Sequence, residues 1–144
     1  MRRPDWQSRL HVFLLSCEGR KFGYSGPQPF NCGTFAAGVI EALTGIDITS
    51  EIPSYTDHKS ARQALRQVSG SASMAGLAEH FAAVYGFNEI PVAFAQRGDV
   101  VQVGEGMKSR LATIAPHGTE LLAPGKVGLI RIPRDKALRA WSIK

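Results

Sequence analysis

Pro29-Phe30-Asn31-Cys32-Gly33-Thr34-Phe35-Ala36-Ala37-Gly38-Val39-Ile40-Glu41-Ala42-Leu43 sets one cysteine at the head of an amphipathic helix. Phe35, Ala36, Val39, Ile40 and Leu43 recur at helical spacing, and Thr44-Gly45 supplies the stop. The unpaired N–H groups of a first helical turn and the helix dipole both favour a thiolate. Cys32 is therefore expected to titrate one or more units below the ~8.5 of a free cysteine. The competing reading is a small buried hydrophobe, the common fate of an unpaired cysteine. The elements on either side of this helix favour the first reading.

Upstream, Pro4 and Asp5 open a helix whose apolar positions Trp6, Leu10, Phe13, Leu14 and Cys17 run to Gly19. Cys17 belongs to that stripe and reads as packing. Residues 23–29 are rich in turn formers and deliver the chain to Cys32. Downstream, residues 46–55 read as loop. Two more helical patterns follow, one over 59–68 and one from a cap at Ser71 or Ser73 through Met74, Leu77, Ala78, Phe81 and Val84 to Gly86. Beyond Pro91 the texture changes to short β-rich runs at 97–103, 110–115, 119–122 and 126–132, separated by Gly or Pro turns. A turn of helix at 134–138 and the terminal Trp141-Ser142-Ile143 close the chain. Helices first and strands last predict an α+β domain with an antiparallel sheet of at least four strands. The Cys32 helix should pack its apolar face on the sheet that contains Val100, Val101 and Val103.

The 144 residues read as a single domain over 1–144. No apolar run approaches the ~18 residues a membrane span needs, and the basic N-terminus lacks the apolar stretch of a signal peptide. Two cysteines are too few for a disulfide framework, so both are expected as free thiols. No Cys or His pair has ligand spacing, so neither a metal nor a cofactor is expected. The net charge of +5, from 17 Lys and Arg against 12 Asp and Glu, concentrates mildly near the C-terminus. It forms no basic stripe interleaved with aromatics, which argues against nucleic acid. It suits a polyanion, an anionic lipid or an acidic protein equally well. Trp6, Phe30, Phe87 and Trp141 are more aromatic bulk near ends and loops than a core of this size needs, so some are expected to face a partner.

A cysteine at a helix start, further helices, and then a Gly-Asp entering the first of several antiparallel strands resembles the NlpC-type papain-like cysteine peptidases. Asn31-Cys32-Gly33-Thr34-Phe35 stands where that family has an Asp-Cys-Ser-x-Phe-like motif, and Gly98-Asp99-Val100-Val101 stands for its Gly-Asp-Leu-Val strand. Over residues 6–143 the chain is similar to a small branch encoded among the tail genes of phages, prophages and gene transfer agents. Proteins of that branch end in an Ala-x-x-Ala-Trp-like segment, matched by Ala137-Leu138-Arg139-Ala140-Trp141. The resemblance implies a papain-like fold and a place in a virion tail assembled in the bacterial cytoplasm. It also implies other tail-tip or baseplate proteins and peptidoglycan as partners.

The chain departs from that family where catalysis is concerned. The family carries a histidine at the start of the strand after Gly-Asp, where imidazole takes the cysteine proton and later protonates the leaving amine. Here that run is Arg110-Leu111-Ala112-Thr113-Ile114, and a guanidinium does not act as a base. Asn31 likewise replaces a carboxylate. His11 reads as the polar side of a helix, His58 as a loop residue and His80 as a helical neighbour of Phe81. His117, in the turn Pro116-His117-Gly118, is the remaining candidate base, and reaches Cys32 only if that turn folds back by about a strand length at ~3.3 Å per residue.

Two functions follow from the resemblance. In one, Cys32 is the nucleophile of a cysteine hydrolase cutting peptidoglycan stem peptides during tail penetration, with His117 as base and the helix-start N–H groups as oxyanion donors. In the other, the fold is a structural tail-tip module whose hydrolase activity is residual or absent.

Overall fold

The computed structural model describes residues 1–144. Local capping chemistry sets the helices. In α1 (Trp6–Ser16) the cap Asp5 makes no side-chain cap bond, whereas the other three helices are closed by side chains at the front and by glycine behind. Asn31 caps α2 (Cys32–Thr44) by accepting from the Thr34 N–H while the Thr34 hydroxyl accepts from the Asn31 N–H. Asp57 and Ser60 repeat the arrangement at α3 (His58–Ser69), and Ser73 caps α4 (Met74–Tyr85). Cys32 is thus the first residue of its helix, as its sequence context predicts. No helix is long and apolar enough to cross a membrane.

The strands are β1 (Asn88–Ile90), β2 (Val100–Val103), β3 (Arg110–Ile114), β4 (Glu120–Pro124), β5 (Leu129–Pro133) and β6 (Ala137–Ser142). They form one six-stranded sheet in the order β1-β6-β2-β3-β4-β5, and every pairing is antiparallel. The α+β expectation and its minimum of four strands both hold.

Two local expectations give way to tertiary pairing. The helical turn expected over 134–138 is a 3-10 turn at Arg134–Lys136 followed at once by strand, because Ala137–Ser142 is the inner strand between β1 and β2. Pairing on both sides outweighs the modest helix preference of Ala-Leu-Arg-Ala. Residues 88–90 carry too little apolar pattern to announce a strand. They are held as an edge by β6, with Arg139 donating to both carboxylate oxygens of Glu89. A 3-10 turn at Ile48–Glu51 interrupts the stretch read as loop.

Two apolar clusters lie on the two faces of the sheet. The larger joins Phe35, Ala36, Val39, Ile40 and Leu43 of α2 to Leu10 and Leu14 of α1, Leu77 and Phe81 of α4, and Val100 and Leu111 of the sheet. The smaller holds Val101, Ala112, Ile114, Leu121, Ala123 and Ala140, with Val103 at its margin. Alternation along β2 therefore sends Val100 to the helices and Val101 and Val103 to the other face. Gly38 lets α1 and α2 approach closely, since a Cβ there would collide with the Phe13 ring.

The expectation that terminal and loop aromatics face a partner is corrected for three of the four. Phe30, Phe87 and Trp141 are buried in the main cluster, and only Trp6 is partly exposed, with the Arg2 guanidinium 4.3 Å from its ring centroid. Cys17 is fully buried in the same cluster, and Cys17 and Cys32 are unpaired.

Gly98-Asp99 is a structural clasp. Asp99 is 1% exposed, yet each carboxylate oxygen is engaged. Oδ1 accepts from Arg2 at 2.8 Å and from the Ile143 N–H at 3.0 Å, and Oδ2 accepts from the Gln96 N–H at 2.8 Å. One carboxylate thereby ties both ends of the chain to the start of β2. Gly98 precedes it at φ 84°, where a side chain would be strained and would press on Leu43.

Candidate functional site

Cys32 lies at the bottom of a cleft of about 1260 Å³ between the helices and the head of β3. Its neighbours are set by three independent tethers. The loop after α1 is pinned to the β4–β5 turn by the Phe22 N–H donating to the Lys126 carbonyl (2.9 Å) and the Gly128 N–H donating to that of Arg20 (2.8 Å). The Asn31 side-chain amide, buried behind the cysteine, donates to the Gly23 carbonyl at 3.2 Å and to the Tyr55 hydroxyl at 3.3 Å. Ser109 is buried and its hydroxyl accepts from the Ala75 N–H of α4 at 3.2 Å, which holds the start of β3 over the cysteine.

These tethers put Arg110 and Leu111 opposite the thiol. The balance at Cys32 runs against the helix-start expectation: burial pushes the thiol up from its ordinary value, and the pull in the other direction from the Leu111 backbone N–H and the Arg110 guanidinium is smaller. Burial makes ionising the thiol costly even at a cleft wall, whereas a helix terminus offers only partial charge. Cys32 is therefore a protonated thiol at neutral pH. Cys17 is pushed up as well, again through burial.

His117 is not brought to Cys32. It is exposed in the turn after β3, with Nδ1 2.6 Å from the Thr119 hydroxyl and Nε2 3.6 Å from Glu120, and it does not line the cleft. Cys32 faces Leu111 at the near end of β3, so the rest of the strand to Ile114 keeps the two apart by about 10 Å at ~3.3 Å per residue, before the turn that carries His117. The turn continues into β4 instead of folding back.

His58, read from sequence as a loop residue, is the first residue of α3 and lines the cleft. Its ring centroid is 5.2 Å from that of Tyr24, whose ring also makes an edge contact with Tyr55 at 6.4 Å. Burial, with the neighbouring Cys32 and Tyr55, pushes the Tyr24 phenol up, so this group too stays protonated. Tyr24, Tyr55 and His58 are the site residues sequence reading missed. The visible signal for His58 was the Asp57–Ser60 capping box that puts it at a helix head, but no local pattern says where that head points. His11 is exposed on α1, and His80 packs edge-on against Phe81 at 5.0 Å, so neither belongs to the cleft. No three His, Cys, Asp or Glu side chains gather as a metal site.

Fold and site together define an α+β domain with a buried, protonated thiol at the head of a helix, opening on a wide cleft whose far lip carries an arginine. The chain belongs to the family described as Domain of unknown function (DUF6950), which it matches over residues 1–143. No curated protein matches it.

Proposed function

We propose that this domain is a papain-like module of the NlpC type that serves at a phage or gene-transfer-agent tail tip, holding a ligand in its cleft rather than hydrolysing it. The observation that carries the reading is Arg110 opposite Cys32. In the arrangement the resemblance implies, that strand start supplies imidazole, and a guanidinium in its place cannot accept the thiol proton. Burial pushes the thiol up from its ordinary value, and no imidazole stands at that strand start to take its proton. The surrounding architecture costs the molecule little to retain, because the core under α2 does not depend on the base.

Alkylation by iodoacetamide across pH 5 to 10 tests this on the intact chain. The rate at Cys32 should climb about tenfold per pH unit with no plateau near pH 5. Bacterial sacculi should release no new amino groups. Cys32→Ala should leave particle assembly unchanged, while crosslinking on purified tails should capture the protein with neighbouring tail proteins.

A second reading has one observation in its favour: His58 lines the same cleft and packs on Tyr24. If sacculi are cut in a Cys32-dependent way and both the cutting and a low-pH alkylation plateau vanish in His58→Ala but persist in His117→Ala, the domain is a cysteine hydrolase with a relocated base.

A further inference from the structure

Six charged side chains line the cleft: Arg20, Arg62, Lys108, Arg110 and Lys126, with Glu41 as the one carboxylate. Four of the chain's five net positive charges thus sit on one concave surface. The ion pairs of the molecule lie elsewhere, joining Arg2 to Asp99, Arg9 to Asp5, Arg131 to Glu120, and Arg139 to Glu79 and Glu89. None of the five cleft cations has a carboxylate partner. The Nε of Arg62 is also buried without a hydrogen-bond acceptor, an N–H that an oxygen entering the cleft would satisfy. Unneutralised like charges between low-dielectric walls focus a positive field into the cleft.

The shape selects among anions. At about 1260 Å³ the cleft exceeds the roughly 300–1,000 Å³ of small-molecule sites, which favours an extended chain. A single-stranded nucleic acid would want free aromatic faces on which to stack its bases. Tyr24 is instead half-buried and engaged by Phe22 at 5.6 Å, Tyr55 at 6.4 Å and His58 at 5.2 Å, which leaves Phe22 as the one exposed Phe or Tyr ring of the cleft. Arginine forks match carboxylates as well as phosphates, and a peptide asks nothing of the rings beyond apolar contact.

We infer that the cleft receives an acidic peptide segment of a partner protein, an extended run bearing several Asp or Glu carboxylates. This deepens the binding role proposed above and rests on it. Fluorescence anisotropy of the full chain with a fluorescein-labelled decaglutamate is the test. Binding should saturate at low salt and weaken by about tenfold or more on raising ionic strength to ~0.3 M. The triple variant Lys108→Gln/Arg110→Gln/Lys126→Gln should bind about tenfold more weakly or worse. The triple Arg131→Gln/Lys136→Gln/Lys144→Gln, which removes the same charge outside the cleft, should change affinity by less than about threefold. Saturating decaglutamate should slow alkylation of Cys32. Equal losses in the two triples, or no protection of Cys32, would overturn the inference. So would an oligothymidylate of similar length bound as tightly through the same three cations, which would make the cleft a nucleic-acid site. If the cleft triple does not fold, Lys108→Gln and Lys126→Gln singly should each weaken binding, and no effect from either overturns it. The sacculus assay reads the non-hydrolytic proposal separately. A chain that cuts yet binds decaglutamate keeps the ligand and loses that proposal, and one that does neither keeps the proposal and loses the ligand.

Discussion

Asp99 and Cys32 are both buried polar positions where the helical layer meets the sheet, and both lie in motifs that carried the family resemblance. Their surroundings are opposite. Around Asp99 the accounting is closed: two backbone N–H groups and a guanidinium, with Arg2 itself largely buried, saturate the carboxylate from the inside. Around Cys32 it is open, with a thiol held neutral by burial, an arginine across from it and cations facing a cleft without partners. A motif whose polar atoms are all consumed within the fold maintains the fold. One that leaves polar atoms unspent at a cleft is available for binding or chemistry. Gly98-Asp99 thus accounts for the strand entry and the tying of both termini, and carries no functional claim.

Removing Asp99 should therefore have the largest effect of any single change near either site. Asp99→Ala leaves the Gln96 and Ile143 N–H groups without an acceptor and strips the Arg2 guanidinium of its carboxylate, leaving it only the Ile143 and Arg97 carbonyls, and urea unfolding should show a loss of about 3–5 kcal/mol. Asp99→Asn, which keeps size and part of the bonding, should lose less. A loss below about 1 kcal/mol for Asp99→Ala would mean the clasp is not what closes the fold.

Asn31 stands between the two regimes, since it caps α2 and also braces the loop carrying Tyr24. Asn31→Ala should cost about 2 kcal/mol, combining a lost cap with a part-buried carbonyl at Gly23 that loses its donor. Asn31→Asp keeps the cap but cannot donate to that carbonyl, so it should still cost about 1–3 kcal/mol. If it proves neutral, the amide is not the reason Asn stands where the resembling family has Asp.

A smaller effect is expected from pH. Cys17 and Cys32 both titrate higher when folded than unfolded, so their neutral burial stabilises fully below the unfolded thiol pKa of about 8.5 and is lost as pH rises through and beyond it. Stability of the native chain should fall between about pH 8.5 and 10, and the fall should flatten in Cys17→Ala/Cys32→Ala, whose overall stability is lower. A profile unchanged by the double substitution would place the thiolates at no disadvantage inside and weaken the contrast with Asp99. The smallest effect belongs to His117→Ala, expected to stay within about 0.5 kcal/mol and to leave Cys32 alkylation untouched.

How much was legible follows from how local each signal is. Asn31-Cys32-Gly33-Thr34, Asp57-His58-Lys59-Ser60 and Ser73 announce helix starts because cap and capped N–H groups lie within three residues of one another. Glycines at 45, 70 and 86 mark the stops because each adopts a left-handed conformation. The end of the chain carries no local strand signal because Ala137–Ser142 owes its strand geometry to partners more than thirty residues away in sequence. Arg139 shows the same dependence, its charge held by Glu79 and Glu89 on two other elements.

The sequence by itself determined the four helices, the change from helices to antiparallel strands, though not β1 ahead of Pro91, and the place of Cys32 as the first residue of α2, since caps, turns and apolar periods act over a few residues. Only the tertiary structure decided what surrounds that thiol. It put Arg110 and Leu111 opposite it and His58 on the cleft wall, left His117 beyond the far end of β3, and buried the sulfur deeply enough for desolvation to outweigh the helix terminus. Burial and charge at a site are sums over groups distant in sequence, and no local pattern encodes such a sum.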